Sequence, residues 1–393
     1  MSERPEITNE RESSYLYSAV DEAGNPSPLF LSSGLRSKEH ILPGRTSNLH
    51  RQRNIIIAVA PYGESKELYH YKDWQNIFRA NGIQFKIVNA FSDSIFKNLS
   101  DCDGFIWHIS PGEKEHARRI IHIIENYCDI AVFPSSKTLA HYQDKIFQNY
   151  LFSVLDIPAP NTEIAFSQRD AITMLQNAKF PFVFKLITGS QSANVSLINN
   201  HHEAHRIMLR MFNEGIIHID RDKSKLKNFL YKLYKFQKND VQEWQKGYFY
   251  SQEFLEGNAF DTRVTMIGQR AFAARRFNRE NDFRASGSQK IDCDPANIDF
   301  KIIEKSFEIH EKIGAQAVAF DFLYKKKKPV LVELSFRFGP LSVKNCPGHW
   351  RRESTGDPGE IAWVDGPVNP GFAILQDFIE EVRHKKAAFE GAF

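Results

Sequence analysis

Two apolar runs in the C-terminal third, AVAFDFLY (317–324) and PVLVELSF (329–336), each carry a single acid, Asp321 and Glu333. A carboxylate set among Val, Phe and Leu is costly to desolvate unless something cationic neutralises it. The runs are short and joined by the turn Lys325–Lys328, so they read as antiparallel neighbours with the two carboxylates close together. Paired acids on adjacent strands suit magnesium carrying nucleotide phosphates. An acid bonded to a basic side chain explains either residue alone; the pair favours the metal.

The rest of the chain supplies the frame. Asn54–Ala60 (NIIIAVA) is a continuous apolar run, as expected of a strand buried on both faces. A helix from Lys66 to Ala80 stops at Asn81-Gly82, and strands follow at Ile83–Val88, Phe105–Ile109 and Ile130–Phe133, with a helix over Glu113–Tyr127. Strands alternating with helices predict a small parallel sheet covered on both faces. Ser135–Leu155 reads as one helix ending before Asp156-Ile157-Pro158-Ala159-Pro160, where two prolines force an extended connection. Short strands are expected at 162–165, 182–186, 195–198, 248–254, 261–267, 270–276, 318–324 and 329–334, with helices over 170–177, 201–240, 300–313 and 371–385. The fold class is α/β with α+β lobes. The expected divisions are an extension at 1–53, an α/β domain at 54–134, a two-lobed domain at 135–345 and a C-terminal segment at 346–393.

Between the first sheet and the two acids lies a series of charged residues at strand positions. Lys185 ends the strand PFVFK beside Gly189-Ser190-Gln191-Ser192-Ala193, a setting that suits phosphate oxygens, with loop N–H groups as further donors. Alternation puts Asp261 and Arg263 on one face of a strand, whereas Arg275 and Arg276 must face opposite ways, so only one can serve a site. Arginines converging on a carboxylate–metal site are what stabilises a phosphoryl group in transfer.

These residues resemble the ATP-grasp ligases, and within them the RimK-like carboxylate–amine ligases, over about residues 130–345. The densest stretch is SQEFLEGNAFDTRVTMIGQRAFAARRFNRENDFRASGS (251–288), which is similar to the family's hinge strand, DxR strand, arginine strand and FR loop in order. The resemblance implies ATP and Mg2+ as cofactors, with Mn2+ as a substitute, and a fold whose two lobes grip the nucleotide behind a preceding α/β domain. It implies phosphate-binding roles for Lys145 and Lys185, and adenine contacts for Glu253 and Phe254. Asp261 would lie near the nucleotide, and Arg284, Ala285 and Ser286 over the phosphates. Arg263, Arg276 and Arg284 would face the reacting groups, with Asp321, Glu333 and Ser335 at the metal. Three departures stand out. Ser335 replaces the family's asparagine ligand, the loop after Lys185 has one glycine where the family has several, and Asn345–Glu360 has no counterpart.

The activity so implied transfers the ATP γ-phosphoryl group to a carboxylate, and an amine then displaces phosphate from the acylphosphate. The acceptor would be a sugar acid, an acidic peptide or another small carboxylate; the DFRASGS and CPG-H-W segments lean towards a sugar carboxylate through a weaker resemblance to polysaccharide-associated members. Two alternatives remain: a kinase on the same fold, and a nucleotide-binding module without catalysis, hinted at by Ser335. The basic stretch 221–238 and the Lys325–Lys328 turn suit either an anionic substrate or plain solvation. With 51 basic and 48 acidic residues the net charge is only +3, which argues against nucleic acid. The best apolar run, Ile55–Ala60, is far short of the ~20 residues of a membrane span, so no span is expected. Cys102, Cys128, Cys293 and Cys346 form no CxxC pair, and a reducing, cytoplasmic setting is expected. Cys346 reads as a buried filler rather than a nucleophile, His201, His202 and His205 read as a surface face, and a homo-oligomer is compatible with the sequence.

Overall fold

The computed structural model describes residues 55–60, 71–128, 130–189, 194–217, 244–280, 282–285, 288, 290–352 and 359–390. The extension 1–53, the loop residues 190–193, the basic stretch 221–238 and Ser286 lie outside the described residues, as do residues 66–70 and 353–358. Residues 54–393 form one compact unit.

The first sheet follows from the apolar runs of the N-terminal half. Strand β1 (Ile56–Ala60) is central, and helix α1 (Tyr71–Ala80) leads to β2 (Gln84–Ile87) on one side of it. A short helix α2 (Ile95–Leu99) precedes β3 (Gly104–Trp107) on the other side, and α3 (Lys114–Ile123), extended by a π turn over Ile124–Cys128, leads to β4 (Ala131–Phe133). The order is β2-β1-β3-β4, all parallel, as the strand–helix alternation predicts.

The helix expected over Ser135–Leu155 is two helices, α4 (Ser136–Ala140) and α5 (Lys145–Val154). Gln143 breaks it with φ +53, and Asp144 caps α5 by accepting the Phe147 N–H at 2.9 Å. The central lobe is an antiparallel sheet, order β5-β8-β6-β7, from β5 (Thr162–Ala165), β6 (Phe182–Lys185), β7 (Val195–Ile198) and β8 (Phe249–Glu253). Helices α6 (Gln168–Gln176) and α7 (His201–Asn213) cover it, burying Ala171, Leu175, Ala204 and Met208 against Phe184 and Phe249.

The largest sheet runs β13-β12-β9-β10-β14-β15, with β11 paired to β10. Its strands are β9 (Phe260–Ile267), β10 (Arg270–Phe277), β11 (Ile291–Asp292), β12 (Ala317–Lys325) and β13 (Lys328–Ser335), followed by β14 (Gly348–Arg352) and β15 (Ile361–Asp365). Strand β14 lies within Asn345–Glu360 and β15 just beyond it, and they extend this sheet through β14 on β10. Helix α8 (Phe300–Ile313) packs Ile302, Ile303 and Phe307 against Val264 and Phe320 on one face. After the short α9 (Leu341–Lys344), helix α10 (Pro370–Glu390) returns to the first sheet. A side chain at Gly104 would meet Val382 at 2.8 Å, so the glycine lets α10 approach β3 closely.

Candidate active site

Pairing in the large sheet sets the site. Asp321 lies opposite Glu333 on one side and Arg263 on the other, while Asp261 lies opposite Arg276, so one row of charges crosses β13, β12, β9 and β10. The neighbours predicted from the Lys325–Lys328 turn are therefore real neighbours. The Arg263 guanidinium donates twice to Asp321, from Nε at 2.8 Å and Nη2 at 2.9 Å. Arg276 donates twice to Asp261, at 2.7 and 2.6 Å, and its Nη2 also lies 2.8 Å from Asp321 Oδ2. Arg275 faces away, as alternation requires, ion-paired with Asp292 across β11 and set over the Phe260 ring.

The row is buried, and burial sets its protonation. Burial pushes the Asp321 carboxyl up, but the charges of Arg263 and Arg276 outweigh it and hold it well below the usual carboxylate range. Asp261 is pushed up to about 6, by burial first and with the neighbouring Asp321 charge adding to it against Arg276. Between two carboxylates, Arg276 is held firmly protonated in spite of its burial.

Two lysines from elsewhere face the row. Lys145 begins α5, is buried, and its Nζ lies 3.4 Å from Glu333 Oε1. Lys185 ends β6, is also buried, and feels the charges of Glu333, Lys145 and Asp321. The four cations Lys145, Lys185, Arg263 and Arg276 thus meet the three carboxylates Asp261, Asp321 and Glu333. The Ser335 hydroxyl donates to the Arg337 carbonyl at 2.9 Å, which leaves its oxygen lone pairs available.

The donor set fits magnesium. Among the described residues no group of three or more His, Cys, Asp or Glu side chains is gathered for a metal. Magnesium at a nucleotide needs less, one or two carboxylates with phosphate oxygens and water. Glu333 fits best, its side chain 36% exposed, while Asp321 enters with its oxygens already engaged by the two arginines.

The remaining predicted positions lie at the edge of the central lobe. Glu253 ends β8, donates its backbone N–H to the Asn161 carbonyl, and is ion-paired with Lys325. Burial opposes ionisation there, but the Lys325 hydrogen bond and the Asn161 N–H hold the Glu253 carboxyl below its ordinary value. Lys325, whose turn suits an anionic substrate or plain solvation by sequence, is thus engaged by Glu253. The Phe254 ring meets Phe283 edge-on at 5.6 Å, and Ala285 is buried. Arg284 grips Asp282 through Nε and Nη2 and reaches the Val195 carbonyl on β7 at 3.4 Å. Asp282 is a partner that sequence reasoning missed; its i, i+2 spacing to Arg284 in DFR was the available signal.

Other sequence candidates fall outside this centre. Cys346 is buried and donates to the Ser342 carbonyl at 3.3 Å, and contact with Cys293 followed by burial pushes its thiol up, so it is no activated nucleophile. His201, His202 and His205 are exposed on α7.

A family description, the RimK-like ATP-grasp domain, matches residues 135–340, just over half of the chain. The chain belongs to the RimK-like ATP-grasp family. Among characterised proteins, the alpha-aminoadipate–LysW ligase LysX of Saccharolobus solfataricus is 24% identical over 196 residues, 50% of this chain and 62% of that protein. The match thus spans less than two thirds of this relative. Two solved structures share the fold. D-alanine–D-alanine ligase from Bacillus anthracis has a TM-score of 0.51 at 13% identity, covering 85% of this chain and 99% of that one. A RimK-domain ATP-grasp protein from Sphaerobacter thermophilus has a TM-score of 0.50 at 14% identity, covering 82% and 98%. The RimK-like match contains every predicted site residue from Lys145 to Ser335. No helix among the described residues is long and apolar enough to cross a membrane.

Proposed function

We propose that this RimK-like protein is an ATP-dependent ligase that joins a carboxylate to an amine through an acylphosphate. One observation carries the reading: Lys145 and Lys185 converge on Glu333 and Asp321, and two arginines continue the row. Lys145 and Lys185 bind the phosphates, and Glu253 and Phe254 border the adenine. Arg263 and Arg276 face the reacting carboxylate and supply positive charge where negative charge develops. Arg284 covers the phosphates from the other side, after exchanging Asp282 for them. Glu333 and Asp321, with Ser335 beside them, would hold magnesium, which adds positive charge at the phosphate oxygens. No protein nucleophile is needed, because the substrate carboxylate attacks the γ-phosphorus as ADP leaves, and the amine, giving up a proton, attacks the acyl carbon as phosphate leaves.

For the substrates, LysX is named for joining alpha-aminoadipate and LysW. Amino acids are accordingly the amines to screen first, against sugar-acid and acidic-peptide carboxylates. The test is ADP release and hydroxamate formation with hydroxylamine, which traps an acylphosphate. Hydroxamate from the wild type and none from Glu333→Gln is expected. A stable phosphorylated product formed without any amine would instead make the protein a kinase, and undiminished turnover in Glu333→Gln would remove the metal assignment.

A further inference from the structure

Backbone N–H groups of the loop Gly189–Ala193 were expected to serve phosphate; of that loop only Gly189 is described, preceded by Leu186–Thr188. In the structure, each of the described ones is already engaged. Leu186 N–H donates to the Asn194 carbonyl at 3.0 Å and Ile187 N–H to the Tyr248 hydroxyl at 2.9 Å. Thr188 N–H donates to Gln245 Oε1 at 3.2 Å, and Gly189 N–H to Gln143 Oε1 at 2.7 Å. Strand β6 pairs with β8 only over Phe182–Phe184. Beyond that point, side chains take over the ladder.

Gln245 is the hub. It is buried, its Oε1 also accepts the Tyr248 hydroxyl at 2.7 Å, and its Nε2 donates to Thr188 Oγ1 at 2.6 Å. Gln143 reaches the segment from the other side, and its backbone sits in the left-handed region (φ +53), a strain that some gain must offset. Gly189 fits between them because a side chain there would meet Asn194 at 2.7 Å. The segment then presents its carbonyls to Lys145, Ile187 to the Lys145 N–H at 3.3 Å and Gly189 to the Lys145 Nζ at 3.5 Å.

We infer that Gln143 and Gln245 are positioning residues of the nucleotide site, fixing Ile187–Gly189 so that Lys145 and Lys185 stand together opposite Glu333. The inference rests on the ATP reading above and adds to it. Ammonium groups, not backbone amides of 186–189, are the donors this segment gives the phosphates. The two glutamines therefore act on phosphate recognition and leave the adenine edge at Glu253 and Phe254 untouched.

The experiment compares Mg-ATP, by calorimetry, with adenosine, by ligand-observed NMR titration, on the wild type, Gln245→Met and Gln143→Met. Gln143 is only partly buried, so its variant keeps the test open if Gln245→Met does not fold. The expected result is a roughly tenfold loss of Mg-ATP affinity in each folded variant, with adenosine unchanged within about twofold. Mg-ATP affinity within twofold of wild type in Gln143→Met would overturn the inference. So would equal weakening of Mg-ATP and adenosine, the mark of a purely structural role. A wild type that prefers Mg-ATP no more than adenosine would overturn the nucleotide reading itself, and this inference with it.

Discussion

Lys185 carries opposing demands. The phosphate recognition proposed for it needs it charged, yet its burial pushes the ammonium down to about 8; Glu333 and Asp321 offset part of this, and Lys145 adds to it. Its ordinary value is 10.5, so between about pH 8 and 10.5 the unfolded chain holds a proton that the folded chain has released. The burden on the fold is therefore full below pH 8 and is relieved as pH rises through that window. Ligand binding runs the other way. Mg-ATP affinity should be flat below about pH 8 and weaken by up to tenfold per pH unit above it, as calorimetry across pH 7 to 10 would register. Lys185→Met should melt higher than wild type at pH 7 without nucleotide, by no more than about 3 kcal/mol, and lose the thermal shift with Mg-ATP. A variant that melts lower and keeps the shift would show that Lys185 serves the fold rather than the phosphates.

At the scale of elements, the β12–β13 hairpin was the most legible part of the chain, because two acids in two apolar runs leave few alternatives. Its turn carries a cost that composition alone did not show. Lys326 and Lys327 both have positive φ, +50 and +64, the mirror-type two-residue turn that Asn-Gly adopts with least strain. Replacing them together by Asn-Gly should raise stability by about 1–2 kcal/mol, seen as a higher urea midpoint at unchanged slope. Lys325 stays on Glu253, so nucleotide binding should not change. What the sequence hid was pairing across distance. Arg263 and Asp321 are 58 positions apart, and only the β9–β12 register brings them together. The break at Gln143 also escaped, although Asp144 in mid-run is a helix-capping residue and was the signal to read. Strand β14 was missed because GHWRR has no apolar alternation and finds its place only against β10; β15 was missed although its run IAWV was an available signal.

The whole molecule is held by cores that differ in what they join. Helix α10 inserts Phe378, Ile379 and Val382 into a cluster that contains Ile57 and Ile106 of the first sheet and Ile267, Phe272 and Ala317 of the largest. Helix α10 thus fastens the first sheet to the sheet that carries Asp321. The central lobe has its own cluster around Phe184 and Phe249. Shared burial makes unfolding cooperative, whereas a separate cluster can open at lower free energy. Phe378→Ala should cost about 3–5 kcal/mol and lower the midpoint of the first and largest sheets together, in one transition. Phe184→Ala, of similar burial, should instead accelerate hydrogen exchange in β6, β7 and β8 while the other sheets keep their protection. Hydrogen exchange read by mass spectrometry on both variants separates these patterns. Equal loss of protection everywhere in Phe184→Ala would mean that the central lobe is not an independent unit.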